Sequence, residues 1–136
     1  MKLEDEKYSA SINFKIKPYE IDAADHVNNI VYVKWLEDLR CKLFEEILPV
    51  DSLLFLNLYP AIVSTNIEYK KQLKLNDYPA GIIRIENIRH NILFLKFKFI
   101  QGDNICAAAS QKCVLINLKN GKMDKAKLKT IEYQYD

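Results

Sequence analysis

With 136 residues, 49% of them hydrophobic and 28% charged, the chain has the size of one ordinary globular domain, able to bury roughly two thirds of its unfolded surface. Its glycines, Gly81, Gly102 and Gly121, are too scattered for a P-loop or a dinucleotide-binding turn, which excludes both kinds of nucleotide site. A net charge of +2 lacks the strongly basic footprint that phosphate-backbone binding leaves, so no nucleic-acid partner is expected.

From Tyr8 to Lys17, the apolar residues Tyr8, Ala10, Ile12, Phe14 and Ile16 alternate with polar ones, the period of a half-buried strand. An unpatterned loop follows. Tyr32, Leu36, Leu39, Leu43 and Ile47 then recur at steps of three and four, with Lys34, Asp38, Lys42 and Glu45 on the opposite side, which is an amphipathic helix. Asn28 or Asn29 suits its N-cap and Pro49 its stop, giving about twenty residues and a length of about 30 Å.

The remainder reads as strands. Ala61 to Tyr69 places Val63, Thr65, Ile67 and Tyr69 on one face. Ile82 to Ile88 is rich in β-branched residues and joins the next strand through His90-Asn91. In that next strand Leu93, Leu95, Phe97 and Phe99 oppose Lys96 and Lys98. Turns follow at Gly102-Asp103 and Asn120-Gly121, and between them Ile105 to Leu118 forms a long strand. Its small centre, Ala107-Ala108-Ala109-Ser110, is expected to admit close approach of the helix. The order is one strand, one long helix, then four strands in hairpin succession: an α+β domain over residues 1–136 with an antiparallel sheet on a single helix. A sheet covered on one face leaves an edge without a partner, which predicts dimerisation by edge pairing.

Ser52 to Val63, the longest mostly apolar stretch, contains Asn57 and Pro60 and falls short of the roughly 20 residues a membrane-spanning helix needs. The start, MKLEDEK, is acidic and is not a secretory signal, so a cytoplasmic location without membrane association is expected. Cys41, Cys106 and Cys113 include no CxxC pair and are read as small buried apolar residues. With two histidines far apart and no ligand cluster, no metal and no cofactor are expected.

The segment between first strand and helix, Tyr19-Glu20-Ile21-Asp22-Ala23-Ala24-Asp25-His26-Val27-Asn28-Asn29, is chemically dense. It sets three carboxylates and a histidine just before a helix N-terminus, where unpaired N–H groups and the helix dipole favour negative charge. Such an arrangement suits a carboxylate nucleophile or base beside donors that polarise a carbonyl oxygen. An acidic capping loop uses the same residue types.

The run YEIDAADHVNNIVYVKWLEDLR, Tyr19 to Arg40, resembles the hotdog-fold acyl-CoA thioesterases related to 4-hydroxybenzoyl-CoA thioesterase. Their hallmark is an Asp, a short loop ending in His-Val-Asn-Asn, and a helix matched here at Tyr32, Trp35, Glu37 and Arg40. The likeness continues more weakly through IVSTNIEYKKQLKLNDY. The resemblance implies a hotdog fold, one long helix packed on a curved five-stranded antiparallel sheet, and hydrolysis of an acyl thioester to free acid and thiol. It places the catalytic carboxylate on Asp22, as nucleophile or general base, and the carbonyl-polarising amide on Asn29. His26 joins them as a candidate that orients substrate or helix, beside the alternative of a histidine bonded to loop backbone. Because such sites lie between protomers, Ser64, Thr65 or Asn66 of the facing chain is expected to complete each one. A homodimer is implied, with a homotetramer as the larger form.

Asp25 departs from the family's usual Gly at a tight-loop position, and repels Asp22 if both carboxylates point inward. His90 is expected to be solvated, and Glu37 with Arg40 to form a helix-surface ion pair. Lys70, Lys71 and Lys74, and Lys119, Lys122, Lys125, Lys127 and Lys129, are solvated or meet the phosphates of coenzyme A. Three alternatives stand beside the acyl-CoA hydrolase: an acyl-ACP thioesterase, a hotdog dehydratase, and a non-catalytic module that binds acyl thioesters.

Overall fold

The computed structural model describes residues 8–125. Strand β1 (Ser9–Asn13) leads through a 3₁₀ turn at Pro18–Glu20 to helix α1 (Asn29–Ile47) and a short helix α2 (Val50–Phe55). Strands β2 (Leu58–Tyr69), β3 (Ala80–Arg89), β4 (Ile92–Gln101) and β5 (Asn104–Asn117) follow. They form one curved antiparallel sheet in the order β1-β3-β4-β5-β2, wrapped on α1: the hotdog architecture.

Helix α1 starts where Asn28, in extended conformation, accepts the Ile30 N–H on its side-chain oxygen at 3.1 Å. It ends at the Leu48 cap, one residue before Pro49. Tyr32, Trp35, Leu36, Leu39, Leu43 and Phe44 turn its buried face to the sheet. They meet alternate residues of the central strands: Ile83 and Ile85, then Leu93, Leu95, Phe97 and Phe99, then Ala107 and Ala109. Phe14 stacks on Trp35 at 4.8 Å between centroids, and Tyr32 and Trp35 both abut Phe99, which fixes the N-terminal half of the helix. The β3–β4 turn carries His90 at φ 53 and Asn91 at φ 62, the paired left-handed residues of a tight hairpin, and His90 is exposed as expected.

The fold departs from the expected elements in five places. β1 is shorter than the Tyr8–Lys17 alternation, because Phe14 and Ile16 continue into the core from the loop and not from the ladder. Helix α2 occupies part of the apolar stretch assigned to no element, where Leu53 buries against the core. Only β3, β4 and β5 are joined as hairpins; β2 crosses to pair with β5 and β1 with β3. A bulge between Ile62 and Ser64 takes Val63 out of phase with Thr65, Ile67 and Tyr69, so those four do not share a face. Finally, α1 packs mainly on β1 and β3, and its close approach is at Gly81, not at the small centre of β5. A Cβ on Gly81 would stand 2.6 Å from Phe14 Cε2 and 3.0 Å from Leu39 Cδ1.

Candidate active site

The loop between β1 and α1 is tied down along its whole length. Buried Glu20 accepts the Lys17 N–H on Oε1 at 2.8 Å, and its carbonyl accepts the Asn28 N–H at 2.9 Å. The Val27 N–H donates to the Leu73 carbonyl at 2.9 Å. Within this frame Asp22 closes a small ring. Its N–H donates to the His26 carbonyl at 2.8 Å, and its carbonyl accepts the Asp25 N–H at 3.1 Å. Asp22 Oδ1 accepts the Ala24 and His26 N–H groups at 2.9 and 3.1 Å, the side-chain turn that Asp forms with its own backbone. Asp22 is exposed, and among the described residues Oδ2 has no hydrogen-bond donor.

Asp25 takes φ 64, so this position does require the left-handed conformation that Gly adopts freely. Its side chain is exposed and does not share a buried pocket with Asp22. His26 is half-buried, and its backbone, not its imidazole, carries the bonds of the loop; the alternative of an imidazole bonded to loop backbone is not what is observed.

At the helix end of the loop, Asn29 is the first helical residue, and its N–H has no acceptor among the described residues. It lines a cleft of about 80 Å³ with Tyr32, Tyr69, Lys70, Lys71 and Gln72. The Tyr69 hydroxyl donates to the Asn29 carbonyl at 3.3 Å, and its ring meets Tyr32 edge-on at 5.2 Å. Burial pushes the Tyr32 phenol well above the ordinary tyrosine range, with Cys106, Tyr69 and Asp77 adding to it. Burial raises Tyr69 as well, so both hydroxyls stay protonated and able to donate at neutral pH. Tyr69 was legible only as a strand residue; its role at the cleft comes from the crossing of β2 past the start of α1.

Ser64, Thr65 and Asn66 are not part of this cleft. They sit three to five residues before Tyr69 on β2, which at about 3.3 Å per residue puts Thr65 roughly 13 Å from it. Thr65 faces the helix: its Oγ1 accepts from Gln111 Nε2 at 3.1 Å, and Gln111 Oε1 accepts from Arg40 at 2.8 Å. Gln111 is buried, so Arg40 does more than form the expected pair with Glu37, which is present at 3.4 Å. Asn66 points to the opposite face of the sheet. All three are exposed on β2, which is an edge strand.

Of the cysteines, Cys106 and Cys113 are buried as expected, whereas Cys41 is exposed on α1. Lys70 and Lys71 border the cleft, and Lys74 and Lys119 are exposed. Lys127 and Lys129 lie outside the described residues. Among the described residues no group of three His, Cys, Asp or Glu side chains is placed to hold a metal ion, and no helix is long and apolar enough to cross a membrane.

The family profile of the thioesterase-like superfamily matches residues 16–131, which take in the loop, both helices and strands β2 to β5. The chain belongs to the thioesterase-like superfamily. That membership supports thioester hydrolase activity. No curated protein matches this thioesterase-like chain. Among solved structures, it is similar to a probable thioesterase from Escherichia coli, with 22% identity, a TM-score of 0.74, and 92% of this chain and 98% of that one covered. It is also similar to the DHNA-CoA thioesterase of Staphylococcus aureus, with 12% identity, a TM-score of 0.78 and coverage of 94% and 86%. A hypothetical protein of Staphylococcus aureus in complex with CoA has 15% identity, a TM-score of 0.81 and coverage of 94% and 82%. At these identities the likeness is one of fold.

Proposed function

We propose that the protein hydrolyses acyl-CoA thioesters, with Asp22 as the reacting carboxylate and the Asn29 amide as the group that polarises the thioester carbonyl. The observation that carries this reading is a division of labour within one residue. Asp22 Oδ1 is spent on the Ala24 and His26 amides, which holds the side chain still, while Oδ2 is left without a donor. The unpaired Asn29 N–H stands at the positive end of the α1 dipole, on a cleft next to the pinned loop.

A thioester whose oxygen accepts from Asn29 gains positive character at its carbonyl carbon. Asp22 Oδ2 then attacks that carbon, or takes a proton from a water that does. In the first case the carbon–sulfur bond breaks to leave an acyl-aspartyl anhydride, which water hydrolyses; in the second the acid forms directly. Both routes release the thiol, protonated, and regenerate the carboxylate. In this reading His26, half-buried and with an imidazole that makes no hydrogen bond among the described residues, orients substrate beside the loop.

The thiol partner is read as coenzyme A because structural relatives bind it or act on its thioesters, and because Lys70 and Lys71 at the cleft suit its phosphates. A homodimer is part of this reading. β2 is a twelve-residue edge with Val63, Ser64, Thr65 and Asn66 exposed, and a second copy paired along it would bring polar residues of one strand toward the partner's cleft. We read the protein as cytoplasmic.

The test is thiol release from a panel of acyl-CoAs. Turnover supports the hydrolase; saturable binding without release selects a non-catalytic module, and release only from acyl carrier protein thioesters selects the other thiol.

A further inference from the structure

The face of the sheet turned away from α1 carries a second depression, of about 300 Å³, that the hydrolase chemistry does not use. The register explains why it exists. Arg84 on β3 lies directly opposite Lys96 on β4, which in turn is opposite Ser110 on β5. In the next row Lys98 is opposite Ala108. The small residues of β5 therefore hollow out this outer face, and three cations stand over the hollow.

Two features of that arrangement are costly in the free protein. Arg84 and Lys96 are like charges in a directly opposed cross-strand pair, which is destabilising. Arg84 Nη1 is buried from solvent and has no hydrogen-bond partner among the described residues, an uncommon state for a guanidinium nitrogen. Glu86 stands 3.9 Å from Lys96, between groups that are both substantially exposed, and Glu68 is the one carboxylate among the described residues that line the hollow. Among the described residues that line it, Arg84, Lys96 and Lys98 against Glu68 give a net charge of +2.

We infer that this hollow on the outer face of the sheet is an anion site for a phosphoryl group, held by Arg84, Lys96 and Lys98. A dianion neutralises the excess charge, gives the buried Arg84 nitrogen an acceptor, and relieves the opposed Arg84–Lys96 pair. The Ser110 hydroxyl adds a neutral donor, and Ile82 and Ala108 offer apolar surface to whatever carries the phosphate. The ligand is free phosphate or a small phosphorylated metabolite.

Isothermal titration calorimetry of the full chain with inorganic phosphate, and separately with adenosine monophosphate, distinguishes the two sources. Saturable binding of at least one is expected, weakening as salt is raised. Arg84→Gln and Lys98→Gln, each checked for fold by circular dichroism, are expected to weaken it about tenfold or more. Lys98 is exposed, so its variant answers the question even if Arg84→Gln does not fold. Any part of the signal lost in Lys70→Gln belongs to the cleft of α1, and the part that falls with Lys98→Gln belongs to the hollow. Absence of saturable binding overturns the inference, as does affinity within twofold of the parent in Lys98→Gln, or a loss confined to Lys70→Gln.

Discussion

Asp22 and His26 hold each other through two backbone-level bonds: the Asp22 N–H donates to the His26 carbonyl at 2.8 Å, and the His26 N–H donates to Asp22 Oδ1 at 3.1 Å. The same carboxylate thus shapes the loop and offers a free oxygen to substrate. Substitutions can separate those roles. Asp22→Asn keeps an amide oxygen able to accept both N–H groups, so the loop should survive while the reacting charge is lost. A fall in kcat of at least about a hundredfold, with KM little changed, is expected from steady-state kinetics. Asp22→Ala should lose the loop closure too and raise KM as well. A folded Asp22→Asn enzyme keeping more than a tenth of the parental kcat would remove Asp22 from the chemistry.

Asp25 sits at φ 64 with an exposed side chain. Asp25→Gly removes a strained Cβ without removing a contact, so activity within about tenfold of the parent and an unchanged or higher Tm are expected. Loss of turnover as complete as that of Asp22→Asn would make Asp25 a participant.

Gly81 on β3 lies in close approach to Leu39 of α1. Gly81→Ala introduces a methyl 2.6 Å from Phe14 Cε2, 3.0 Å from Leu39 Cδ1 and 3.1 Å from Phe99 Cε1, all in the packed core. Overpacking of this kind costs about 1–3 kcal/mol, which urea unfolding should show as a lowered midpoint at constant slope. An unchanged midpoint would mean that the Phe14 ring yields freely.

The edge strand β2 leads to an expectation about size. Light scattering should give twice the chain mass or a larger even multiple, and activity should fall when dilution dissociates the assembly. A stable monomer with full activity would refute the shared site.

Thiol chemistry separates the cysteines. Burial pushes the Cys113 thiol up to about 12 from its ordinary 9.0, against the opposing pull of Arg40, and burial raises Cys106. A thiol reagent at pH 8 should modify exposed Cys41 rapidly and the other two only on unfolding. The linkage has a definite sign. Above about pH 9 the unfolded chain releases a proton from Cys113 that the folded chain keeps, so stability should fall as pH rises from about 9 toward 12 and be insensitive to this group below 9. Cys113→Ala should flatten that decline.

The long helix, its Asn28 cap, the His90-Asn91 hairpin and the buried row Leu93, Leu95, Phe97 and Phe99 were all legible in the sequence, because each rests on interactions within a few residues: periodicity, a side-chain cap, a turn that needs φ > 0. So was the Asp22-to-Asn29 loop, whose residues are neighbours in the chain. What tertiary structure alone decided depends on pairings between distant segments. The passage of β2 to the far edge beside β5 put Tyr69 against Asn29, and left Thr65 bonded to Gln111, which accepts in turn from Arg40, instead of reaching its own cleft. The bulge at Val63 changed which residues share a face, since one inserted residue reverses every side chain beyond it. The small centre of β5 was legible as small, but whether it received the helix or hollowed the outer face was set by which neighbours β4 and β2 brought beside it. Local spacing carries no information about a neighbour contributed by a strand many residues away.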